Sequence, residues 1–447
     1  MTSNWVKRTA VAFVLGAAVA AAAPAGQDEP SLPFSFSSYS LRNGLRIVLS
    51  EDDSLPLISV VLAYRVGTLQ EQPGKTGLAY LLEHLMMFSG SQNVGPMQHI
   101  GYLNRIGGEP NASTTADVTY FYETVPSNQL GIVLWLESDR MRTLEIDAAK
   151  TERWKQSLLD DLGQRPVAEP YLESSLVFDR LLYPDFAHYH GILGREEDIR
   201  NLTPGDIEEF YTEYFTPNNA VLVIVGDLNL TKARELVDRY FESIPPGKDV
   251  PPPAPPRPPE KKSAAEEYQE SLAPYPAFHM GYRVAAPYTK DYYGLTILDY
   301  CLMKGKTARL YKRLIKKDRL AFYLDGGLEK RGDVATFKVF ATCNSEMAAD
   351  LCQKAVFSEI NKLRLNLVSD DELDRAKSVF KRDYLSRFST TLDKATFLAE
   401  TYFSPVGLER VSGELERYLA VTPLTLRELS YRFFMPDNCV VLSVKMR

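Results

Sequence analysis

Apolar and polar positions follow two different rhythms along this chain. From Ile58 to Val66 and from Val118 to Val125 the residues are largely β-branched, aromatic or otherwise apolar, the composition of strands. Ala79 to Phe88, Leu130 to Met141 and Asp206 to Tyr214 instead repeat apolar residues three and four apart, the spacing of one helix face. Two further β-branched runs, Val221 to Val225 and Val440 to Val444, each follow a Pro-x-Asn step. Strands and helices mixed in this way predict an α+β fold, with largely antiparallel sheets covered by helices on one face.

The two Pro-x-Asn steps close a longer repeat. TPGDIEEFYTEYFTPNNA starts at Thr203 and TPLTLRELSYRFFMPDNC at Thr422, 219 positions later. Ala63-Tyr-Arg-Val66 is answered by Gly281-Tyr-Arg-Val284, 218 positions on. Two matches at nearly one offset indicate an internal duplication. Between the halves lies PPGKDVPPPAPPRPPEKK, Pro245 to Lys262. So many prolines neither pair in a sheet nor continue a helix, so they form a semi-rigid spacer. The expected organisation is a first domain at 32–244, a linker at 245–263 and a second domain at 264–447.

Composition adds limits. The 447 residues are 45% hydrophobic and 24% charged, with net charge −7, ordinary for a globular chain. Without a lysine- or arginine-rich run, nucleic acid is excluded as the main partner. Lys7 and Arg8 precede an apolar stretch, Thr9 to Ala23, and Ala23-Pro24-Ala25 fits a small-x-small cleavage site. Residues 1–25 therefore read as a secretory signal peptide. Cleavage leaves no membrane span, and the protein is expected to be exported, into the periplasm of a two-membrane cell. An uncleaved signal would instead leave an anchor. Cys301, Cys343, Cys352 and Cys439 match no zinc-ribbon spacing and read as single buried thiols.

The candidate chemistry lies in TGLAYLLEHLMMFSGS, Thr76 to Ser91. Tyr80, Glu83 and His84 stand at i, i+3 and i+4 and share one helix face. Histidine at position 80 would complete H-x-x-E-H, in which two imidazoles hold zinc and the glutamate is the general base toward metal-bound water. A third ligand must come from elsewhere.

Several ordered segments agree with one family. Gly77-Leu-Ala-Tyr-Leu-Leu-Glu-His84 with Phe88-Ser-Gly90, Gly107-Gly-Glu-Pro-Asn-Ala-Ser-Thr-Thr-Ala-Asp-Val-Thr-Tyr120, Glu152-Arg153, and His188-Tyr-His-Gly191 with Gly194 resemble the pitrilysin/insulinase zinc peptidases. The similarity is to the branch that contains mitochondrial processing peptidase and its bacterial relatives, and it covers residues 35–447. The resemblance implies a clamshell of two homologous domains. It implies that extended peptide adds as a strand to a sheet edge formed by Asn111, Ala112, Ser113 and Thr114.

The chain departs from the family pattern at the metal. Tyr80 replaces the first histidine, and phenolate is not a usual zinc ligand. The family's third ligand, a glutamate 76 or 77 residues after the second histidine, falls on Asp160 or Asp161; alignment on Glu152-Arg153 places Leu159 there instead. His84 is the one ligand that matches. His99, in a loop-like region, and His188 and His190, away from the metal, are the other imidazoles of the first half. The family's arginine and tyrosine in the second domain, seven residues apart, align with Ile315 and Phe322; Lys316 and Tyr323 stand one residue away. Zinc is thus a family expectation that this chain meets weakly or not at all. Three readings stay open: a non-catalytic subunit beside a homologue with an intact motif, an active zinc endopeptidase with unusual ligands, and a peptide-binding scaffold without a proteolytic role.

Overall fold

The computed structural model describes residues 32–251, 255 and 258–446; the expected signal peptide and part of the Pro-rich linker lie outside them. Two sheets carry the fold. The first is ordered β1-β2-β6-β3-β5-β4, with β1 Ser37–Ser40, β2 Arg46–Glu51, β3 Leu57–Tyr64, β4 Glu109–Thr114, β5 Thr119–Pro126 and β6 Ala220–Gly226. The second is ordered β7-β11-β8-β10-β9, with β7 Ala264–Glu270, β8 Ala277–Val284, β9 Ala321–Arg331, β10 Val334–Cys343 and β11 Cys439–Met446. Neighbouring strands are antiparallel except β2 with β6 and β7 with β11.

The duplication is visible in this order. β3 and β6 hold the same places in one sheet as β8 and β11 in the other. β6 and β8 are buried along their whole length, which explains why these runs lack polar alternation. No helix among the described residues is long and apolar enough to cross a membrane. All four cysteines are buried free thiols.

One face of the first sheet packs under α1 (Leu78–Phe88), α2 (Gln98–Arg105), α3 (Leu130–Arg142) and α4 (Ala148–Ala168). The opposite face is also covered, by a helix from the other half. α5 (Leu172–Leu182) crosses to the second sheet, where Phe178 and Leu182 pack on Val440 and Leu442. α6 (Thr391–Phe403) crosses back and lies on β3 and β6. Leu172 and Thr391 are 219 positions apart, so the exchange is part of the repeat.

Polar contacts fix both crossings. Ser59 and Thr391 hydroxyls lie 2.8 Å apart, and the Ser174 amide donates to Glu270 at 2.9 Å. His279, stacked on Phe178 under α5, is held neutral by burial, its pKa lowered to about 3. The Asp179 carboxylate on α5 receives Arg331 and Lys338 from β9 and β10, each at 2.7 Å. Asp179→Ala removes one of the two carboxylates these cations share, since Glu329 also pairs with Arg331 at 2.8 Å and with Lys338 at 2.7 Å. Loss of one partner of a buried pair costs about 3–5 kcal/mol. Urea unfolding is expected to show a loss smaller than that, because Glu329 stays on both cations, and a smaller loss still for Asp179→Asn, which keeps an acceptor.

Candidate functional site

The motif helix starts where the chain has no room for a side chain. Gly77 has φ +87°, and a Cβ there would lie 2.8 Å from the Leu193 carbonyl. The Glu71 carboxylate sits before the helix and accepts from the Gly77 and Ala79 amides at 3.0 and 2.9 Å, satisfying two of the donors a helix start leaves open. His190 Nε2 meets the same carboxylate at 3.0 Å. The His188–Gly191 segment thus holds the helix start rather than approaching His84. Burial pulls the His190 imidazole down, but its hydrogen bonds to Glu71 and to the Phe186 carbonyl outweigh that and leave its pKa raised. A raised histidine pKa stabilises the fold fully below its unfolded value, near 6.5, and the contribution is lost as pH rises through the folded value. His190→Gln is therefore expected to lower the melting temperature at pH 6 and to have a smaller effect at pH 9.

Along α1, Leu78, Leu81, Leu82 and Leu85 face the core, which turns Tyr80 and His84 to the other side. His84 Nδ1 lies 3.0 Å from the Tyr80 carbonyl oxygen. Its ring packs edge-on to Tyr80 with centroids 4.5 Å apart, and lies 5.9 Å from Phe88 and 6.0 Å from Trp154 of α4. Phe88 and Trp154 stack at 4.9 Å. The face that would present metal ligands is an aromatic column.

Glu83 points from α1 to β4, where Thr114 Oγ1 donates to it at 2.6 Å. Burial raises its pKa, against the Thr114 hydrogen bond and the His84 field. β4 is the outermost strand of its sheet. Asn111, Ala112, Ser113 and Thr114 pair with Tyr122, Phe121, Tyr120 and Thr119 of β5, and the other edge of β4 pairs with no described strand.

α4 supplies the third position. Leu159 is buried in the first-half core. Asp160 is exposed and accepts from Gln156 at 2.8 Å. Asp161 is the acidic residue on the motif side. Burial first, then the charges of Glu83 and Asp161, raise the Tyr80 pKa, so the phenol keeps its proton. Among the described residues no three His, Cys, Asp or Glu side chains group so as to hold a metal ion. One imidazole and one protonated phenol, with Asp161 the one acid of the three candidates on the motif side, do not make up a zinc site, which takes three or more nitrogen, sulfur or carboxylate donors.

A cavity of about 1550 Å³ separates the halves. Ser113 and Tyr122 line it from the first sheet, Glu329, Lys330 and Arg331 from the second. Lys330 Nζ bonds the Tyr288 hydroxyl at 2.6 Å and Glu400 at 2.7 Å. Lys316 and Tyr323 are not part of this lining. Lys316 lies 5.9 Å from the Tyr311 ring, and Tyr323 is half exposed at the opposite end of β9 from Lys330. Seven strand residues separate those ends, roughly 23 Å.

His99 needs correcting: it lies not in a loop but in α2, buried, with Nε2 3.4 Å from Glu137 Oε1. Burial lowers its pKa. Glu137 is held at about 2, because the Arg140 guanidinium and His99 outweigh burial. Neither Glu71 nor Lys330 stood out in the sequence. A carboxylate just before a helix start is a readable signal; a lysine that reaches a cavity only through pairing across two halves is not.

Residues 46–182 match the family model described as Insulinase (Peptidase family M16), and residues 201–380 match that of the Peptidase M16 inactive domain. Zinc protease PqqE of Helicobacter pylori is 30% identical over 415 residues, covering 91% of this chain and 92% of that protein. The chain belongs to peptidase family M16. The solved structure of a protease from Helicobacter pylori has 26% identity and a TM-score of 0.85, over 92% of this chain and 99% of that one. An M16 inactive-domain structure from Pseudomonas fluorescens, 18% identical, shares the fold with a TM-score of 0.79 over 92% of this chain and 98% of that one. The periplasmic protease PqqL of Escherichia coli, 16% identical, does so at 0.74, over 93% of this chain and 48% of that one.

Within this M16 chain, Glu83 is a buried acid held by hydrogen bonds from the Thr114 side chain and backbone. Its raised pKa means that its contribution to stability falls as pH rises above the unfolded value, near 4.5. Glu83→Gln keeps an acceptor for Thr114 and removes the charge. Melting curves are expected to show the variant more stable than the wild type at pH 8, with the gain shrinking toward pH 4.

Proposed function

We propose that this M16 protein is exported and binds extended peptides in the chamber between its halves without metal chemistry of its own. It serves as the non-catalytic subunit beside a homologous chain that carries an intact H-x-x-E-H motif. The observation that carries this reading is the donor set: a proton-bearing phenol at Tyr80, a single imidazole at His84 and a buried leucine at 159. Peptide binding is supported by the open edge of β4 beside the cavity. Main-chain pairing on such an edge accepts many sequences, and side-chain pockets refine the choice. Export, to the periplasm where the cell has two membranes, is supported by the N-terminal pattern.

A second reading, an active endopeptidase with an unusual ligand set, is favoured by one observation only: Asp161 acts on Tyr80 and so lies on the motif side of α4. Metal analysis and a cleavage assay separate the two. The chain purified alone is expected to hold no stoichiometric zinc and to leave peptides intact, with Glu83→Gln indistinguishable from the wild type in that assay. Added to a homologue with both histidines, it is expected to raise cleavage above that of the homologue alone. Stoichiometric zinc with cleavage that Glu83→Gln abolishes would establish the second reading. Absence of both peptide binding and stimulation would leave a scaffold.

A further inference from the structure

The chain totals −7, yet its cations are not evenly spread. No unbroken run of them is longer than two, but Lys304 to Arg319 holds eight cations and one acid, a net +7 in sixteen residues. Three of the eight are paired: Lys304 with Asp299 at 3.8 Å, Arg309 with Glu372 at 2.7 Å and Arg313 with Asp318 at 2.5 Å. Lys306, Lys312, Lys316, Lys317 and Arg319 are exposed and hold no carboxylate among the described residues. Tyr311–Lys317 is a π-helical turn. Its wider winding puts residues four and five apart on one side, so Lys312, Lys316 and Lys317 face out together while Leu314 is buried.

Apolar side chains stand beside these cations. Leu272, Tyr275, Phe322 and Tyr323 are each 46–50% exposed, and the Tyr275 and Phe322 rings meet edge-on at 4.5 Å. Three hydrogen bonds gather the segments at one end of the second sheet. The Cys343 amide donates to the Pro276 carbonyl at 2.8 Å, the Asn344 amide to the Leu320 carbonyl at 3.3 Å, and Asn344 Nδ2 to the Arg319 carbonyl at 3.0 Å. The turn between β7 and β8, the basic segment and the start of β9 therefore share one surface. The acids nearby are engaged: Asp325 accepts from the Tyr323 hydroxyl at 3.3 Å, and Glu346 and Asp350 act on Lys445. Neither the five cations nor the four apolar residues line the chamber, which β9 reaches at its other end through Glu329, Lys330 and Arg331.

A bilayer interface offers both chemistries at once. Its phosphates attract lysine and arginine, each worth a factor of about five near an anionic surface. Half-exposed aromatic and aliphatic tips enter the boundary between headgroups and acyl chains. A soluble polyanion would use the cations and leave the four apolar side chains in water. We propose that this end of the second sheet docks on a bilayer surface rich in anionic phospholipid, with the exposed lysines at the phosphates and Tyr275 and Phe322 at the acyl boundary. A docked chain keeps its chamber clear of the bilayer, because the chamber lies at the opposite end of β9. Docking of this kind does not depend on what the chamber binds.

The test is sedimentation of the full chain with vesicles of phosphatidylcholine alone and of phosphatidylcholine with phosphatidylglycerol in equal parts. The wild type is expected to bind the anionic vesicles more tightly than the neutral ones and to lose that excess at high salt. Lys312→Gln, Lys316→Gln and Lys317→Gln combined should cut the excess by about tenfold or more. The variant shares its N-terminus with the wild type, so the apolar stretch at Thr9 to Ala23 cannot cause the difference. An unchanged melting temperature confirms that it folds, and Lys306→Gln with Arg319→Gln gives a second set if it does not. Phe322→Trp should add fluorescence that moves to shorter wavelength on the anionic vesicles, which adsorption by charge alone would not produce. Equal binding of the wild type and the lysine variant to anionic vesicles would overturn the proposal, as would an unshifted Phe322→Trp spectrum. Binding to soluble polyglutamate as tight as to the vesicles would overturn it in favour of an acidic polypeptide.

Discussion

The structure depends on one reciprocal constraint: neither sheet can bury both of its faces with helices from its own half. The first sheet is apolar on both sides, with Leu62, Leu222 and Ile224 on one and Val61, Val221 and Val223 on the other. The second sheet faces the same problem at Val440 and Leu442. α5 and α6 solve it by exchange. Burial of a single large aliphatic or aromatic side chain is worth about 1.5–3 kcal/mol, so Phe178 and Leu182 alone make α5 costly to detach. Because the exchange goes both ways, the halves cannot separate without stripping both sheets. The chamber is what remains between them.

That arrangement explains where the charges lie. The seam cannot be all apolar, because the strand ends of β9 and β10 and the loops after α5 meet there with their polar groups. It is filled by pairs that span the halves: Asp179 with Arg331 and Lys338, Lys394 with Asp52, His188 with Asp333. Such pairs are retained at a desolvation cost, and they specify one docking geometry for halves whose apolar contacts alone would tolerate sliding. The chamber wall near these pairs has its charges committed as a consequence.

Much of this was legible in the residues. The strands at Ile58–Val66 and Val118–Val125 and the helices at Ala79–Phe88, Leu130–Met141 and Asp206–Tyr214 lie within a few residues of the observed elements. Their periodicity is local, and local signals survive in one dimension. The duplication was equally plain, since Thr203 and Thr422 both cap helices followed by buried strands. The helix exchange was not, because nothing in α5 says which sheet its apolar side meets. His99 was misplaced because α2 has only eight residues and is preceded by Met97, whose φ of +64° no propensity scale anticipates. In the candidate site the Tyr80, Glu83, His84 face was read from spacing alone. Which of Leu159, Asp160 and Asp161 turns toward it depended on the rotation of α4, a matter of packing.

If 159 is the third-ligand position, what stands there and what stands at 80 are linked through electrostatics. A glutamate in place of Leu159 would stand in the first-half core. With a divalent cation beside it such a carboxylate is compensated; without one it is a buried charge, which costs several kcal/mol or is neutralised by protonation. With a phenol at position 80 a cation would have one donor fewer, and Leu159 suits the hydrophobic contacts around it. Trp154 and Phe88 then close over His84, giving the imidazole ring contacts where a ligand bond would have been. Glu83 is tolerated in the same low-dielectric setting because Thr114 donates to it, and that hydroxyl belongs to the outermost strand of the sheet. On this chain Glu83 is a tie between the motif helix and the outermost strand of the first sheet.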